Sequence, residues 1–286
     1  MQIYAARDTI DKIFSGGILM VKIIFSDMDG TLLTSGNNLP EGFDAAMAEL
    51  KRRNVIFAPA SGRQYYSLLK SFEKYRDEFL FLAENGTLVM YKGEEVCSSP
   101  LGFEAARKVL RATEGFENIL RVYCGKKDAY LRREQDTPEF HAELDKYYTH
   151  NGVVDSFYEL NDIPLKIALF DPTANAKENI YDKLTQFYDS LQVVLSSDYW
   201  VDVMSPGINK GEAVKNIQRI MNFKREECAA FGDYLNDYEM MQAVDYGFAM
   251  TNAHPDLKKI ARFETESNDE AGVLIGIRRL IAYGLI

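Results

Sequence analysis

Two aspartates, Asp27 and Asp29, are separated by one residue and directly follow the mostly apolar stretch VKIIFS. Neighbouring carboxylates repel each other unless a cation or a shared proton offsets their charge. Their oxygens suit Mg²⁺, one aspartate at a strand end can act as a nucleophile, and the second can transfer protons. The pair followed by glycine also fits a simple turn. Because an apolar strand precedes it and Thr31 and a leucine follow, we expect a chemical role instead.

More polar residues are expected at the carboxyl ends of neighbouring strands. They are Ser61, Gly62 and Arg63 after the second strand, Asn85 after the third, Asp233 with Asn236 and Asp237 after a later strand, and Lys210 at the start of a helix. Each also has a plain structural explanation, as a helix cap or a solvated surface residue. In a parallel sheet, however, ligands bind at this edge, where the loops converge. We therefore expect a site for an anion and Mg²⁺, with Asp27, Asp29 and Asp233 as the acidic groups around the metal.

The expected secondary structure places these residues on an α/β fold. Strands at 21–26, 55–57 and 79–83 alternate with helices at 41–53 and from about residue 64, which predicts a parallel sheet. We expect Pro59 to stop the second strand and Ser61 to begin the following helix. The order of helices and strands is mixed from 88 to 204, with helices near 103–114 and 176–190, and the alternating pattern then resumes.

These patterns predict a Rossmann-like, doubly wound parallel sheet core with an inserted α+β cap domain. We assign residues 20–87 and 206–286 to the core and residues 88–205 to the cap. Residues 1–19, which precede a second methionine, are interpreted as an N-terminal extension.

Composition narrows the possible partners and the location of the protein. A net charge of -10 over 286 residues and an isoelectric point near 5.0 argue against nucleic acid as a partner. No apolar run approaches the length of a membrane span. The three cysteines have neither disulfide-framework nor zinc-site spacing, so a reducing cytoplasm is expected. No residue pattern indicates an oligomeric state.

Taken together, the motifs resemble those of the haloacid dehalogenase superfamily of phosphatases, in its Cof-type branch (subfamily IIB, with a C2B cap). The similar segments are DMDGT at 27–31, ASGR at 60–63, GINKG at 207–211 and GDYLND at 232–237. The resemblance implies that Asp27 is the nucleophile, that Asp29 is the acid and base, and that Ser61 and Lys210 hold the phosphate. It also implies that Asp233 is a Mg²⁺ ligand and that Asn236 lies beside the phosphate.

The resemblance implies a magnesium-dependent phosphatase of small phosphate monoesters, sugar phosphates first, acting through an aspartyl-phosphate. A phosphomutase of the same superfamily and a phosphometabolite sensor without turnover are the alternatives. One departure from the family pattern is Tyr234, which follows the GD pair and is expected to narrow the pocket.

Substrate selection is expected to come from the cap. The cap residues that could line a pocket are Arg121, Tyr123, Lys126, Lys127, Arg132, Arg133 and His141, although most charged residues there are expected to be solvated. Trp200 is the better candidate because it lies near the return to the core. The aromatic residues of EFHAELDKYYTH are interpreted as packing.

Overall fold

The computed structural model describes residues 20–286, so the expected extension at 1–19 lies outside the described residues. The strands of the described chain are β1 Ile23–Asp27, β2 Ile56–Ala60, β3 Leu80–Ala83, β4 Leu88–Tyr91, β5 Glu94–Ser98, β6 Leu120–Gly125, β7 Ala129–Arg132, β8 Asn151–Val154, β9 Pro164–Phe170, β10 Gln192–Leu195, β11 Trp200–Met204, β12 Cys228–Gly232, β13 Tyr246–Met250 and β14 Phe263–Thr265. Its α-helices are α1 Phe43–Arg52, α2 Tyr65–Ser71, α3 Phe103–Thr113, α4 Pro138–Leu144, α5 Ala176–Asn179, α6 Lys210–Met221, α7 Tyr238–Gln242, α8 Pro255–Ile260 and α9 Gly272–Ala282.

The first sheet has eight strands in the order β14-β13-β12-β1-β2-β3-β4-β5. Its first six strands in that order are mutually parallel, which confirms the doubly wound core. The sheet is covered on both faces. On one face Ile23 and Phe25 of β1 pack with Val214 of α6, while on the other Ile24 packs with Phe43 of α1. A parallel strand buried on both faces has no solvent-facing side, which explains the three consecutive apolar residues Ile23, Ile24 and Phe25.

The hairpin β4–β5 belongs to the first sheet. Strand β4 pairs antiparallel with β3, and β5 pairs antiparallel with β4. We had placed residues 88–98 in the inserted layer, and their strand pairing contradicts that placement. The physical reason is that Leu88 and Val89 are buried in the two cores of the first sheet while the hairpin covers the open edge of β3.

A second sheet lies between β5 and α6 in the sequence, with the strand order β10-β11-β9-β6-β7-β8. Its pairs are antiparallel except for β7 with β8. Helix α3 packs on it through Val109 and Leu110, which share a core with Ile167 and Val201. This is the inserted α+β layer that the mixed pattern predicted, and the layer is called the cap below.

Two local expectations were wrong. Pro59 was expected to stop β2, but it lies within the strand and pairs with Ser26 of β1. The strand tolerates it because β2 pairs with β3 at Ala60 alone, so no hydrogen bond to β3 needs the N–H that proline lacks. The expected helix at 176–190 consists of α5 and two short 3₁₀ turns, since Ile180 leaves the helical region at φ -126°. Ile180 and Leu184 nevertheless stay buried, so their spacing located the buried side correctly.

Within residues 20–286, no helix has both the length and the apolar character needed to cross a lipid bilayer.

Candidate active site

A cavity of about 670 Å³ lies where β1, β2, β3 and β12 end at their carboxyl edge. Ligands bind at this edge of parallel sheets because the loops that follow the strands converge there. The residues expected from the sequence that line the cavity are Asp27, Asp29, Ser61, Gly62, Arg63, Asn85, Asp233 and Asn236. Thr31, Lys210 and Asp237 are buried behind this wall. Thr31 bonds to the Asp233 carboxylate and Lys210 to that of Asp27, whereas Asp237 accepts hydrogen bonds from Lys210 and from the Asp233 backbone.

Lys210 connects two carboxylates beneath the cavity floor. It is the first residue of α6, and its Nζ hydrogen-bonds to Asp27 Oδ1 and lies 2.7 Å from Asp237 Oδ1. The Lys210 side chain is 0% exposed. Burial raises the pKa of Asp27 well above its usual range, and the Lys210 charge offsets only part of that shift. Although burial lowers the pKa of Lys210, the two carboxylates raise it more, so this lysine is held as a cation.

Asp237 holds the turn that follows β12. Its second oxygen, Oδ2, accepts hydrogen bonds from the backbone N–H of Asp233 at 3.0 Å and of Tyr234 at 3.3 Å. Gly232 lies against it, because a Cβ at that position would be 2.6 Å from Asp237 Oδ2. Asp237 thus positions both Lys210 and the backbone that carries Asp233.

Asp233 is oriented from the β1 side of the site. Thr31 Oγ1 donates a hydrogen bond to Asp233 Oδ1 at 2.7 Å. Gly30 leaves room for the carboxylate: its φ is +81°, and a Cβ there would lie 2.5 Å from Asp233 Oδ2. Burial raises the pKa of Asp233 to about 6, despite the opposing effect of the Thr31 hydrogen bond.

These carboxylates fit a magnesium ion. One oxygen each of Asp27, Asp233 and Asp237 can be chosen so that all three lie within 4.8 Å of one another. The donors are all oxygens, as a hard divalent cation requires. Because both Asp237 oxygens already accept hydrogen bonds, Asp27 and Asp233 are better placed as direct ligands. The Asp29 carboxylate is turned elsewhere, which leaves its backbone carbonyl as the group it could offer.

Asp29 forms a two-pronged ion pair with Arg63. Arg63 Nη2 lies 2.5 Å from Asp29 Oδ1, and Arg63 Nε lies 3.0 Å from Asp29 Oδ2. Such forked pairing fixes the plane of the carboxylate as well as its position. The Asp29 side chain is 54% exposed, whereas that of Arg63 is 13% exposed. Asp29 therefore presents an oriented carboxylate to the open space of the cavity.

Ser61 and Gly62 form a turn between β2 and α2. The helix expected from about residue 64 is α2, which begins at Tyr65. The expectation that Ser61 begins it is wrong, because Ser61 N and O both bond to neighbouring backbone outside a helix. Ser61 N–H donates to Leu82 O and Ser61 O accepts from Asn85 N–H, both at 2.9 Å. The serine is thereby locked beside the end of β3, and its hydroxyl accepts a hydrogen bond from Arg63 N–H at 3.2 Å.

The opposite wall of the cavity comes from the cap. Its residues are Lys146, Tyr147, Tyr148, Lys166, Ser196, Ser197, Trp200 and Asp202. Trp200, the cap residue singled out by its position in the sequence, is among them. None of the seven other cap residues considered from the sequence lines this cavity; for example, Lys126 pairs with Glu95 and Arg133 with Asp155.

Tyr147 and Tyr148 were interpreted as packing residues, and this was incomplete because both also line the cavity. Lys166 was missed. A lone lysine within the apolar strand PLKIALF was the available signal, because a charged residue is almost never fully buried without a partner. Its Nζ lies 2.7 Å from Glu84 Oε2, 3.1 Å from Asp202 Oδ1 and 3.2 Å from Gly62 O.

The cap also contacts the start of α2. The Gln64 side chain exchanges two hydrogen bonds with the His150 backbone, at 2.9 Å and 3.0 Å. Ser67 Oγ donates to Tyr147 O at 2.7 Å. These bonds hold the cap segment that contains Tyr147 and His150 against the start of α2.

Tyr234, the departure from the family pattern, lines the cavity and is 53% exposed. Its ring meets the His254 ring edge-on, with 5.8 Å between centroids. Tyr234 therefore forms part of the cavity rim, and its narrowing of the pocket stays a prediction.

The chain is similar in sequence to known hydrolases. The family model for haloacid dehalogenase-like hydrolases matches residues 24–277. The Escherichia coli (strain K12) protein YbjI, a 5-amino-6-(5-phospho-D-ribitylamino)uracil phosphatase, is 29% identical over 93% of this chain and 98% of its own. The HMP-PP phosphatase of Klebsiella pneumoniae (strain 342) is 29% identical over 84% of this chain and 87% of its own.

The fold also matches solved structures. The crystal structure of SMU.1108c from Streptococcus mutans UA159 is similar with a TM-score of 0.82 and 27% identity, over 92% of this chain and 99% of that one. Because the family match spans both segments of the first sheet and the cap between them, the chain belongs to the haloacid dehalogenase-like hydrolases.

Proposed function

We propose that this chain is a magnesium-dependent phosphatase that hydrolyses small phosphate monoesters, sugar phosphates first, through an aspartyl-phosphate. The observation that carries the proposal is the pairing of Asp27 with Lys210 beside Asp233, at the floor of a cavity that also presents Asp29. The similar proteins support it, because YbjI and the Klebsiella protein are named as phosphatases of small phosphorylated compounds.

In the first step, an Asp27 carboxylate oxygen attacks phosphorus and the bond to the leaving oxygen breaks. Asp29 gives its proton to that oxygen, so an alcohol departs. In the second step Asp29 takes a proton from water, the water oxygen bonds to phosphorus, and the bond to Asp27 breaks. Inorganic phosphate and the free Asp27 carboxylate result.

Other residues bind and orient the phosphoryl group. Lys210 holds one Asp27 oxygen and so determines which oxygen faces the cavity. Ser61, Gly62 and Asn236 line the cavity where the phosphate oxygens would lie. Arg63 orients Asp29. Positioning of this kind supplies most of the rate enhancement in phosphoryl transfer.

Mg²⁺, held by Asp27, Asp233 and the backbone carbonyl of Asp29, would offset the negative charge that develops on the phosphoryl oxygens. The remaining parts of the proposal are a cytoplasmic location and a cap that controls access to the site. The first is supported by Cys97, Cys124 and Cys228, all of which are free thiols.

The test is release of inorganic phosphate from a panel of phosphorylated metabolites, with Mg²⁺ and with a chelator. We expect magnesium-dependent release by the wild type and none by Asp27→Asn. Circular dichroism of Asp27→Asn serves as the control for folding. Steady-state release by a folded Asp27→Asn protein would overturn the role of Asp27, and no release by the wild type from any compound would overturn the activity.

A further inference from the structure

Asn85 lies at the junction between the phosphate side of the cavity and the cap. It follows β3, in the left-handed conformation at φ 55° and ψ 29°, which asparagine tolerates better than most residues. Its backbone N–H donates to Ser61 O at 2.9 Å. Asn85 is 6% exposed, and its side chain lines the cavity and lies against Gly62, where a Cβ would be 3.3 Å from Asn85 Oδ1.

A cap carboxylate determines which way the Asn85 amide points. Asn85 Nδ2 donates to Asp202 Oδ2 at 3.3 Å. That carboxylate also accepts from Ser196 Oγ at 2.8 Å and pairs with Lys166 at 3.1 Å, so its position is fixed on both sides. An ionised carboxylate only accepts hydrogen bonds. Turning the amide over would set its oxygen against Asp202, and the observed orientation is therefore the chemically required one.

This orientation leaves the carbonyl oxygen of Asn85 without a partner. Oδ1 is buried and accepts no hydrogen bond from any group within residues 20–286. An unsatisfied buried acceptor costs about 1–3 kcal/mol, which a donor on a bound ligand would recover. Since Oδ1 lies beside Gly62, which lines the cavity next to Ser61 in the sequence, that donor belongs to the part of the ligand nearest the phosphate.

We propose that Asn85 selects phosphate monoesters whose leaving group has a hydroxyl or amino donor close to the ester carbon. Asn85 Oδ1 accepts that hydrogen bond. Asp202 is a positioning residue, because it acts only by orienting the Asn85 amide. The inference rests on the proposed phosphatase function and adds the substrate feature that the site recognises, the donor near the ester carbon. A site built to pair with a substrate donor discriminates against analogues that lack it, because its own acceptor is then left unpaired.

The test uses two substrates that differ by one hydroxyl: propane-1,2-diol 1-phosphate and propyl phosphate. The wild-type protein with Mg²⁺ is expected to favour the diol ester in kcat/KM by about tenfold, the value of one hydrogen bond. Asn85→Ala is expected to reduce that ratio to near unity. Asp202→Asn is expected to reduce it as well, since the amide can then turn.

Asn54→Ala is the matched control, because Asn54 also has a positive φ, of 57°, but does not line the cavity. It should keep the wild-type ratio. A purely structural role for Asn85 would lower kcat/KM for both esters equally and leave the ratio unchanged, which would overturn the proposal. A wild-type ratio near unity would overturn it too.

Binding measurements separate this proposal from the proposed activity. The dissociation constants of the two esters are measured by calorimetry in Asp27→Asn, with and without Asn85→Ala. In one outcome the wild type releases no phosphate, while Asp27→Asn still binds the diol ester more tightly than propyl phosphate and loses this preference when Asn85 is replaced. In that case the proposed activity is wrong and the selection by Asn85 stands. If phosphate is released but Asn85→Ala changes neither the ratio of the two kcat/KM values nor the ratio of the two dissociation constants, only the selection is wrong.

Discussion

Lys210 Nζ hydrogen-bonds to Asp27 Oδ1 although the two residues lie 183 positions apart in the sequence. The contact joins the end of β1 to the start of α6 on either side of the inserted cap. Both side chains are almost fully buried, so each charge depends on the other and on Asp237 for compensation.

Replacing Lys210 by methionine should destabilise the fold as well as abolish phosphate release. Without the lysine, Asp27 and Asp237 have no shared cation, and breaking a buried ion pair costs about 3–5 kcal/mol. Urea unfolding measures this loss. Lys215→Met is the control in the same helix: Lys215 is 56% exposed and its pair with Glu212 spans 3.4 Å, so a change of about 1 kcal/mol or less is expected. Equal losses in the two variants would contradict the assigned role.

Arg63→Lys should impair turnover selectively. The lysine keeps the positive charge but loses the fork that orients Asp29. We expect kcat to fall about tenfold or more for an alkyl phosphate, whose leaving oxygen needs a proton, and less for p-nitrophenyl phosphate, whose leaving group does not. Steady-state kinetics of wild type and variant on the two substrates measure the two losses in kcat. A uniform loss would mean that Arg63 does not act through Asp29.

Gly30→Ala should weaken Mg²⁺ binding. The added Cβ would lie 2.5 Å from Asp233 Oδ2 and push that carboxylate away, and disturbing a ligand's surroundings typically costs about tenfold or more in metal affinity. Gly42→Ala is the control, because Gly42 has nearly the same φ, +84°, with nothing within 4 Å. Both variants bear the strain of a positive φ, of about 1–2 kcal/mol, but only Gly30→Ala should raise the Mg²⁺ concentration needed for half-maximal activity.

Magnesium affinity should fall as the pH is lowered through about 6. In the metal-free protein burial raises the pKa of Asp233 to about 6, so below that pH the carboxyl is mostly protonated and a proton must leave before the ion binds. Calorimetric titration with Mg²⁺ at pH 5 and pH 7.5 is expected to show affinity about tenfold weaker at pH 5. The same dissociation constant at both values would exclude Asp233 as a ligand that must lose a proton.

The order of elements and the motif residues of the first sheet were predictable because local patterns encode them. The successive apolar residues at 23–25 indicated a strand covered on both faces. Phe43, Met47 and Leu50 marked the buried side of α1. Parallel strands bring their carboxyl ends to one edge, so the meeting of Asp27, Ser61 and Asp233 followed from topology alone.

Strand pairing at the sheet edge was not predictable in this way. The residues of the hairpin β4–β5 suit either sheet, and only its packing against β3 decides between them. Ser61 similarly has the residue type of a helix cap, whereas its backbone bonds to Leu82 and Asn85 place it in a turn.

The sequence by itself determined the family, the α/β core and which side chains near the phosphate can do chemistry, because these depend on residue type and short-range spacing. Tertiary structure alone decided how those side chains pair and what the cap presents to them. Asn85 meets Asp202 across 117 positions, and Lys166 reaches Glu84 from a different sheet. Contacts of this kind depend on the packing of distant segments, for which no local pattern exists.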